Sequence, residues 1–201
     1  MASVILASAS PRRQELLHLI IPSFEVEPSS AEDHLHLPAE LTAEEEPEYL
    51  ARVKACDIAA RHPGHVVIGS DTVVIVPVGD TEEVLGKPVS EDDARRMLRE
   101  LSGRRHFVVT GCALAMMPDD GKDMIVDSFR SRTAVDFYPL SDEEIDAYIA
   151  TGEPMDKAGA YGIQTLGARL VRRVEGDYFT IVGLPVAELD RHFRNFPPAR
   201  A

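Results

Sequence analysis

The sequence predicts an α/β protein with a mixed, twisted sheet flanked by helices, and three observations carry that prediction. Short β-branched runs alternate with stretches of helical apolar spacing along the 201 residues. Two long strand-like runs, near Phe107–Met116 and Met124–Phe137, are joined by Pro118-Asp119-Asp120-Gly121, a turn signal that makes them an antiparallel hairpin. That hairpin and the irregular loops argue against a strictly doubly wound parallel sheet.

The elements follow in order. Val4-Ile5-Leu6-Ala7 suits a buried strand, and Ser8-Ala9-Ser10-Pro11 turns the chain into a helix carrying Leu16, Leu17 and Ile20. Phe24–Val26 is a second short strand, followed by acidic loop to about Glu46. Pro47 opens a helix bearing Leu50, Val53 and Ile58. The β-branched run from Val66 to Val76 reads as one or two buried strands, with Gly69-Ser70-Asp71 between or within them. Gly79-Asp80 is a turn, Ser90–Leu101 a helix, and Ser141 caps another helix running to about Ala150. Beyond the glycine-rich segment Gly152–Gly167, a strand is expected at Arg169–Val174, and Pro185 starts a closing helix.

Composition bounds the function. Hydrophobic content of 44% and charged content of 27% are those of a globular chain, and the whole of 1–201 is expected to form a single domain, built as two lobes around one core. The formal charge of −13 argues against a nucleic-acid polymer as partner. No apolar run approaches the roughly 20 residues needed to span a membrane, and Met1–Leu6 has no signal-peptide pattern. Cys56 and Cys112 form no CxxC pair and read as buried thiols in a reducing, cytoplasmic compartment. His34 and His36 fall in a polar loop and no histidines pair at i, i+4 with a Glu between, which leaves zinc unsupported.

The first chemical signal is a helix start of the wrong sign. Helix N-termini carry partial positive charge and favour acids, as Ser90-Glu91-Asp92-Asp93 and Ser141-Asp142-Glu143-Glu144 illustrate. The first helix does the opposite: Ser10 caps it, Pro11 opens it, and Arg12 and Arg13 fill its first turn. An anion would relieve that arrangement, and the N–H groups, the hydroxyls of Ser8 and Ser10 and two guanidiniums would together cradle a phosphate. The alternative has both arginines in solvent beside the acids of the following loop.

Asp71 is the second signal. A carboxylate inside an apolar strand run is costly unless it is paired or bound to metal, and hard oxygen ligands suit Mg²⁺ completed by substrate phosphates. The alternative is a turn aspartate bonding its own backbone after Gly69-Ser70. Glu32 and Asp33 supply candidates for a second acid, within a stretch between Arg13 and Arg52 that holds ten acids and no Lys or Arg. Lys54, Lys87 and Lys157 are candidate phosphate ligands, each with plain surface as the alternative. Gly86-Lys87-Pro88 lacks the frame of a phosphate loop. In the glycine-rich segment, Gly159, Ala160 and Gly162 would admit a flat ligand, and Gln164 would present an amide to a base edge; the alternative is a wide loop.

Taken together, Ser8-Ala9-Ser10-Pro11-Arg12-Arg13, Gly69-Ser70-Asp71-Thr72, Leu85-Gly86-Lys87-Pro88, Leu101-Ser102-Gly103, the run Asp156–Gln164 and Val182-Gly183-Leu184-Pro185 resemble, in that order, the Maf family of nucleotide pyrophosphatases. The resemblance implies a two-lobed fold around a deep cleft, related in shape to inosine-triphosphate pyrophosphatases. It implies Asp71 as general base, and Arg12, Thr72 and Gln164 as the residues that set nucleobase choice. Glu32, Lys54 and Lys87 are implied as the groups around the triphosphate and metal, with Asp71 and Glu32 as ligands of Mg²⁺ or Mn²⁺. Thr72 with Gln164 resembles the branch acting on dTTP and UTP, modified pyrimidine triphosphates being further candidates. A homodimer is expected by the same likeness. The family's link with septum formation supplies the alternative, a nucleotide-binding regulator of cell division with little turnover.

Overall fold

The computed structural model describes residues 3–33 and 35–197; Met1, Ala2, His34 and 198–201 lie outside the described residues, and with them the first residues of the Met1–Leu6 reading and one member of the His34/His36 pair. Seven strands form one mixed sheet: β1 (Val4–Leu6), β2 (Glu25–Val26), β3 (Val66–Val78), β4 (Thr81–Leu85), β5 (Arg105–Met116), β6 (Ile125–Phe137) and β7 (Val171–Glu175). Their order is β2-β1-β3-β5-β6-β7, with β4 paired to β3. β1 runs parallel to β2 and β3, whereas β4 is antiparallel to β3 and β7 antiparallel to β6. The helices are α1 (Pro11–Leu17), α2 (Glu46–Arg61), α3 (Glu91–Leu101), α4 (Asp142–Ile149), α5 (Tyr178–Val182) and α6 (Val186–Asn195). The chain divides into two compact units, Met1–Asp71 with Thr110–Ser131 and Gly183–Ala201, and Thr72–Val109 with Arg132–Val182.

In the first unit, β1 is buried on both faces, which is why it reads as an unbroken apolar run. The odd positions of its strands share one face: Ile5, Ala7, Val67, Ala113 and Ala115 pack against Ala51, Ala55, Ile58 and Ala59 of α2. Alanines on the helix and glycines on the strands bring the two backbones together. A Cβ on Gly69 would lie 2.2 Å from the Ala51 carbonyl oxygen, and one on Gly111 would lie 2.2 Å from the Glu48 nitrogen. Gly69 is therefore a packing glycine inside continuous strand β3, and the alternative that placed a chain reversal at Gly69-Ser70-Asp71 is excluded.

The second unit has its own core, in which Val74, Leu98, Val135, Phe137, Tyr148 and Tyr161 are buried together. Helix α3 presents Ala94, Met97, Leu98 and Leu101 inward at helical spacing. Ser90 accepts from Asp93 N at 3.1 Å, and Ser141 with Glu144 forms a full capping box on α4.

Two elements were not expected. Thr81-Glu82-Glu83-Val84-Leu85 has weak strand character, and β4 exists because Gly79, at φ +61°, closes a turn that lays it along β3 over five residue pairs. α5 is a β-branched and aromatic run held as helix by Asp177, which accepts from the Thr180 backbone N at 2.9 Å and from its hydroxyl at 3.0 Å. The strand expected at Arg169–Val174 begins two residues later, after a 3-10 turn over Leu166–Leu170. Cys112 is buried, but Cys56, expected to be so, is only half-buried on α2; both are free thiols. Among the described residues, no helix is long and apolar enough to cross a membrane.

Candidate active site

The packing of α2 on β3 determines where charge meets charge. Gly69 admits the α2 backbone between Ala51 and Ala55; Lys54 leaves the helix beside that contact, and Asp71, two residues along the strand, faces the same side. Lys54 Nζ lies 2.6 Å from Asp71 Oδ1 and 2.6 Å from Glu32 Oε2. Lys54 is 6% exposed, so its ammonium needs these partners. Three formal charges sum to −1, and a third acid stands near: burial, then Asp71, pushes the Glu46 carboxyl up. Glu46 went unread because an acid in the first turn of a helix is ordinary.

Ser70 points to the opposite face of β3, and there the arginine turn is anchored. Ser10 caps α1, its hydroxyl accepting from Arg13 N at 3.5 Å, while Ser8 Oγ accepts from Ser10 N at 3.3 Å and from Arg13 Nη1 at 3.1 Å. The Gly183 carbonyl accepts from Arg13 Nε at 2.9 Å and from the Ser70 hydroxyl at 3.0 Å. Arg13 is thus pinned at a half-buried position, which excludes the alternative of a solvent-directed side chain for this residue. Burial lowers its pKa, with Asp71 the strongest opposing charge and Arg12 adding to the decrease. Arg12 is half-buried beside it. Burial pushes the Cys112 thiol, whose Sγ lies 3.7 Å from Ser70 Oγ, up to about 12, so it remains a protonated packing group.

The structure therefore brings together, within the first unit, Glu32, Lys54 and Asp71 as one cluster and Ser8, Ser10 and Arg13 as another. Thr72, Lys87 and Gln164 belong to the second unit. Thr72 follows Asp71 on β3 and is half-buried; Lys87 is exposed in the segment between β4 and α3; Gln164 is exposed beyond the 3-10 turns at Glu153–Asp156 and Ala158–Ala160. The segments bearing the last two are tied by a 3.0 Å bond from Gly159 N to the Gly86 carbonyl. Lys157 is engaged locally, donating to the Glu153 carbonyl at 2.7 Å and to Asp156 at 2.6 Å.

A divalent metal fits this donor set in one way. Among the described residues no group of three His, Cys, Asp or Glu side chains is arranged as a metal cage. Asp71 and Glu32 each give one oxygen to Lys54, so two carboxylates share one ammonium, and hard cations are commonly held by one or two carboxylates with substrate phosphates completing the shell.

Residues 3–196 match the family model described as Maf-like protein. A dTTP/UTP pyrophosphatase of Bacillus velezensis is 45% identical over 193 residues, covering 96% of both chains. One of Koribacter versatilis is 48% identical over 196 residues, covering 95% of this chain and 93% of the relative. Among solved structures, the Ham1 protein of Staphylococcus aureus aligns over 96% of this chain and 98% of its own with a TM-score of 0.53 at 15% identity, a likeness of fold.

Proposed function

The chain belongs to the Maf family, and we propose that it hydrolyses dTTP and UTP between the α- and β-phosphates, releasing the monophosphate and pyrophosphate. The observation that carries this reading is the Lys54 clamp, which holds the carboxylates of Asp71 and Glu32 at 2.6 Å each in the unit that also carries the pinned arginine turn. The names of the relatives supply the substrates.

In this reading Asp71 takes the proton of a water as its oxygen adds to the α-phosphorus; the bond from that phosphorus to the bridging oxygen breaks, and the electron pair departs with pyrophosphate. Lys54 fixes the direction of the Asp71 carboxylate, and Glu32 shares that task. Ser8, Ser10 and Arg13 bind phosphate oxygens, Arg13 held so that little reorganisation is needed as charge develops. A divalent cation, Mg²⁺ with Mn²⁺ as a substitute, would be held by Asp71 and Glu32 and would neutralise phosphate charge. Lys87 contributes a phosphate-directed cation, and Arg12, Thr72 and Gln164 select the base; these roles rest on their positions in the family motifs. The unbroken match over 3–196 supports a single functional domain. The two free cysteines support a cytoplasmic setting, and the homodimer rests on the family likeness, with sedimentation as its measurement. The relatives named above are enzymes by name, which leaves the division-regulator reading without support.

The test is pyrophosphate release from dTTP, UTP, CTP and 7-methyl-GTP, with and without Mg²⁺ or Mn²⁺. Metal-dependent release confined mainly to dTTP and UTP is expected. Equal turnover of all four, or release of orthophosphate alone, refutes the reading.

A further inference from the structure

Gln164 stands at the tip of a short loop, residues 162–167, whose neck is closed by two side chains that the proposed chemistry does not use. Gly162 N donates to the Tyr148 hydroxyl oxygen at 3.1 Å, and that hydroxyl donates to Glu153 Oε1 at 3.0 Å. The other side of the neck lands on the same carboxylate, Leu166 N at 3.2 Å from Oε2 and Gly167 N at 3.3 Å from Oε1. A Cβ on Gly167 would meet the Gly162 oxygen at 2.4 Å and the Tyr148 hydroxyl at 2.6 Å, so both ends of the neck press together around this pair. Tyr148 is buried on α4 and Glu153 half-buried, and Lys157 is folded over Gly162, where a Cβ would meet its Cε at 2.6 Å. The Thr165 side chain bonds the same carboxylate, which leaves Ile163 and Gln164 as the tip on a braced base, with Gln164 exposed.

The chemistry of an amide makes that brace consequential. A carboxamide carries a donor face and an acceptor face, and a mobile one turns over to suit uracil or cytosine alike. Discrimination requires the backbone that carries it to be held before the base arrives.

We propose that Tyr148 and Glu153 are positioning residues for base selection, fixing the loop over residues 162–167 so that the Gln164 amide meets the pyrimidine edge in one orientation. The inference rests on the reading of Gln164 as a base-contacting residue. Tyr148→Phe keeps the buried ring and removes the hydroxyl; Glu153→Gln turns one of the two accepting oxygens into a donor, which then faces a backbone N–H. In the full-length protein, each is expected to lower the ratio of kcat/KM for UTP over CTP roughly fivefold or more. The change should lie in KM for UTP, while the inhibition constant of inorganic tripolyphosphate, which has no base, stays at the wild-type value. Gln164→Ala separates the two claims. If it collapses the ratio while a folded Tyr148→Phe protein retains it, the brace is wrong. If Gln164→Ala itself leaves the ratio unchanged, the base-contacting role is wrong and the brace falls with it. A uniform loss of kcat on both nucleotides, with weaker tripolyphosphate binding, makes the pair merely structural and also overturns the proposal.

Discussion

Lys54 Nζ sits 2.6 Å from Asp71 Oδ1, joining the middle of helix α2 to the middle of strand β3 through one buried ammonium. Removing that ammonium leaves two carboxylates facing each other with their shared counter-ion gone. Lys54→Met is therefore expected to cost about 3 kcal/mol of stability and to lower pyrophosphate release by about 10²-fold or more. Urea denaturation read beside turnover measures both.

Asp71→Asn keeps the shape of the side chain and an acceptor for Lys54 but cannot accept a proton from water. The expected result is a kcat about 10³-fold lower with the melting temperature nearly unchanged. A folded Asp71→Asn protein with wild-type turnover would remove Asp71 from the role of base.

Arg13→Lys tests the pinned turn. A guanidinium reaches the Gly183 carbonyl and the Ser8 hydroxyl at once, through Nε and Nη1, which a single ammonium cannot reproduce. KM for dTTP is expected to rise about tenfold or more, and tripolyphosphate inhibition to weaken in parallel, because the contact proposed for Arg13 is to phosphate and not to base.

Gly69→Ala places a methyl 2.2 Å from the Ala51 carbonyl oxygen, a backbone atom of a buried helix. Relief requires α2 to back away from β3, carrying Lys54 from Asp71. About 2 kcal/mol or more of stability is expected to be lost, and activity should fall further than the unfolded fraction explains. Gly111→Ala, obstructing the same helix from the neighbouring strand at the Glu48 nitrogen, should behave alike.

His106, wholly buried in the second unit with Nε2 2.9 Å from the Tyr161 hydroxyl, gives a pH dependence. Burial lowers its pKa from the ordinary 6.5 to about 4. The unfolded chain then binds the proton more readily than the folded one, so stability present above pH 6.5 is lost as the pH falls towards 4. The loss amounts to about 3 kcal/mol. Urea midpoints measured from pH 7 to 4 should decline over that window, with a flatter slope in His106→Phe, which removes the titrating ring but strands the Tyr161 hydroxyl and so starts weaker at pH 7.

Much of this was legible in the chain because the local and tertiary demands agreed. Ser90 and Ser141 stand before acidic first turns and do cap α3 and α4. The long β-branched runs became β3, β5 and β6 because burial on a sheet is what such residues suit. What escaped depends on partners outside the segment concerned, whether near in sequence or far. β4 borrows its order from β3, α5 from Asp177, and the meaning of Gly69 from an alanine eighteen residues earlier on α2. The cluster followed the same division. Asp71 and Arg13 were visible as charges out of place, whereas Ser70 and Gly183 acquire a part only when the fold puts the carbonyl of one within reach of the hydroxyl of the other.

The alternation along β3 also limits how the gene can change length. Ser70 serves one side of the sheet and Asp71 the other, so a single codon gained or lost between Gly69 and Asp71 would turn the acid away from Lys54 to the face that carries the Gly183 carbonyl. Two codons would restore the parity but push Asp71 along the strand by nearly 7 Å, past the reach of Lys54. Neither kind of slip can be absorbed here, so among length variants of this protein the indels should collect in the acidic loop before α2 and in the turn after β5, leaving this stretch at constant length.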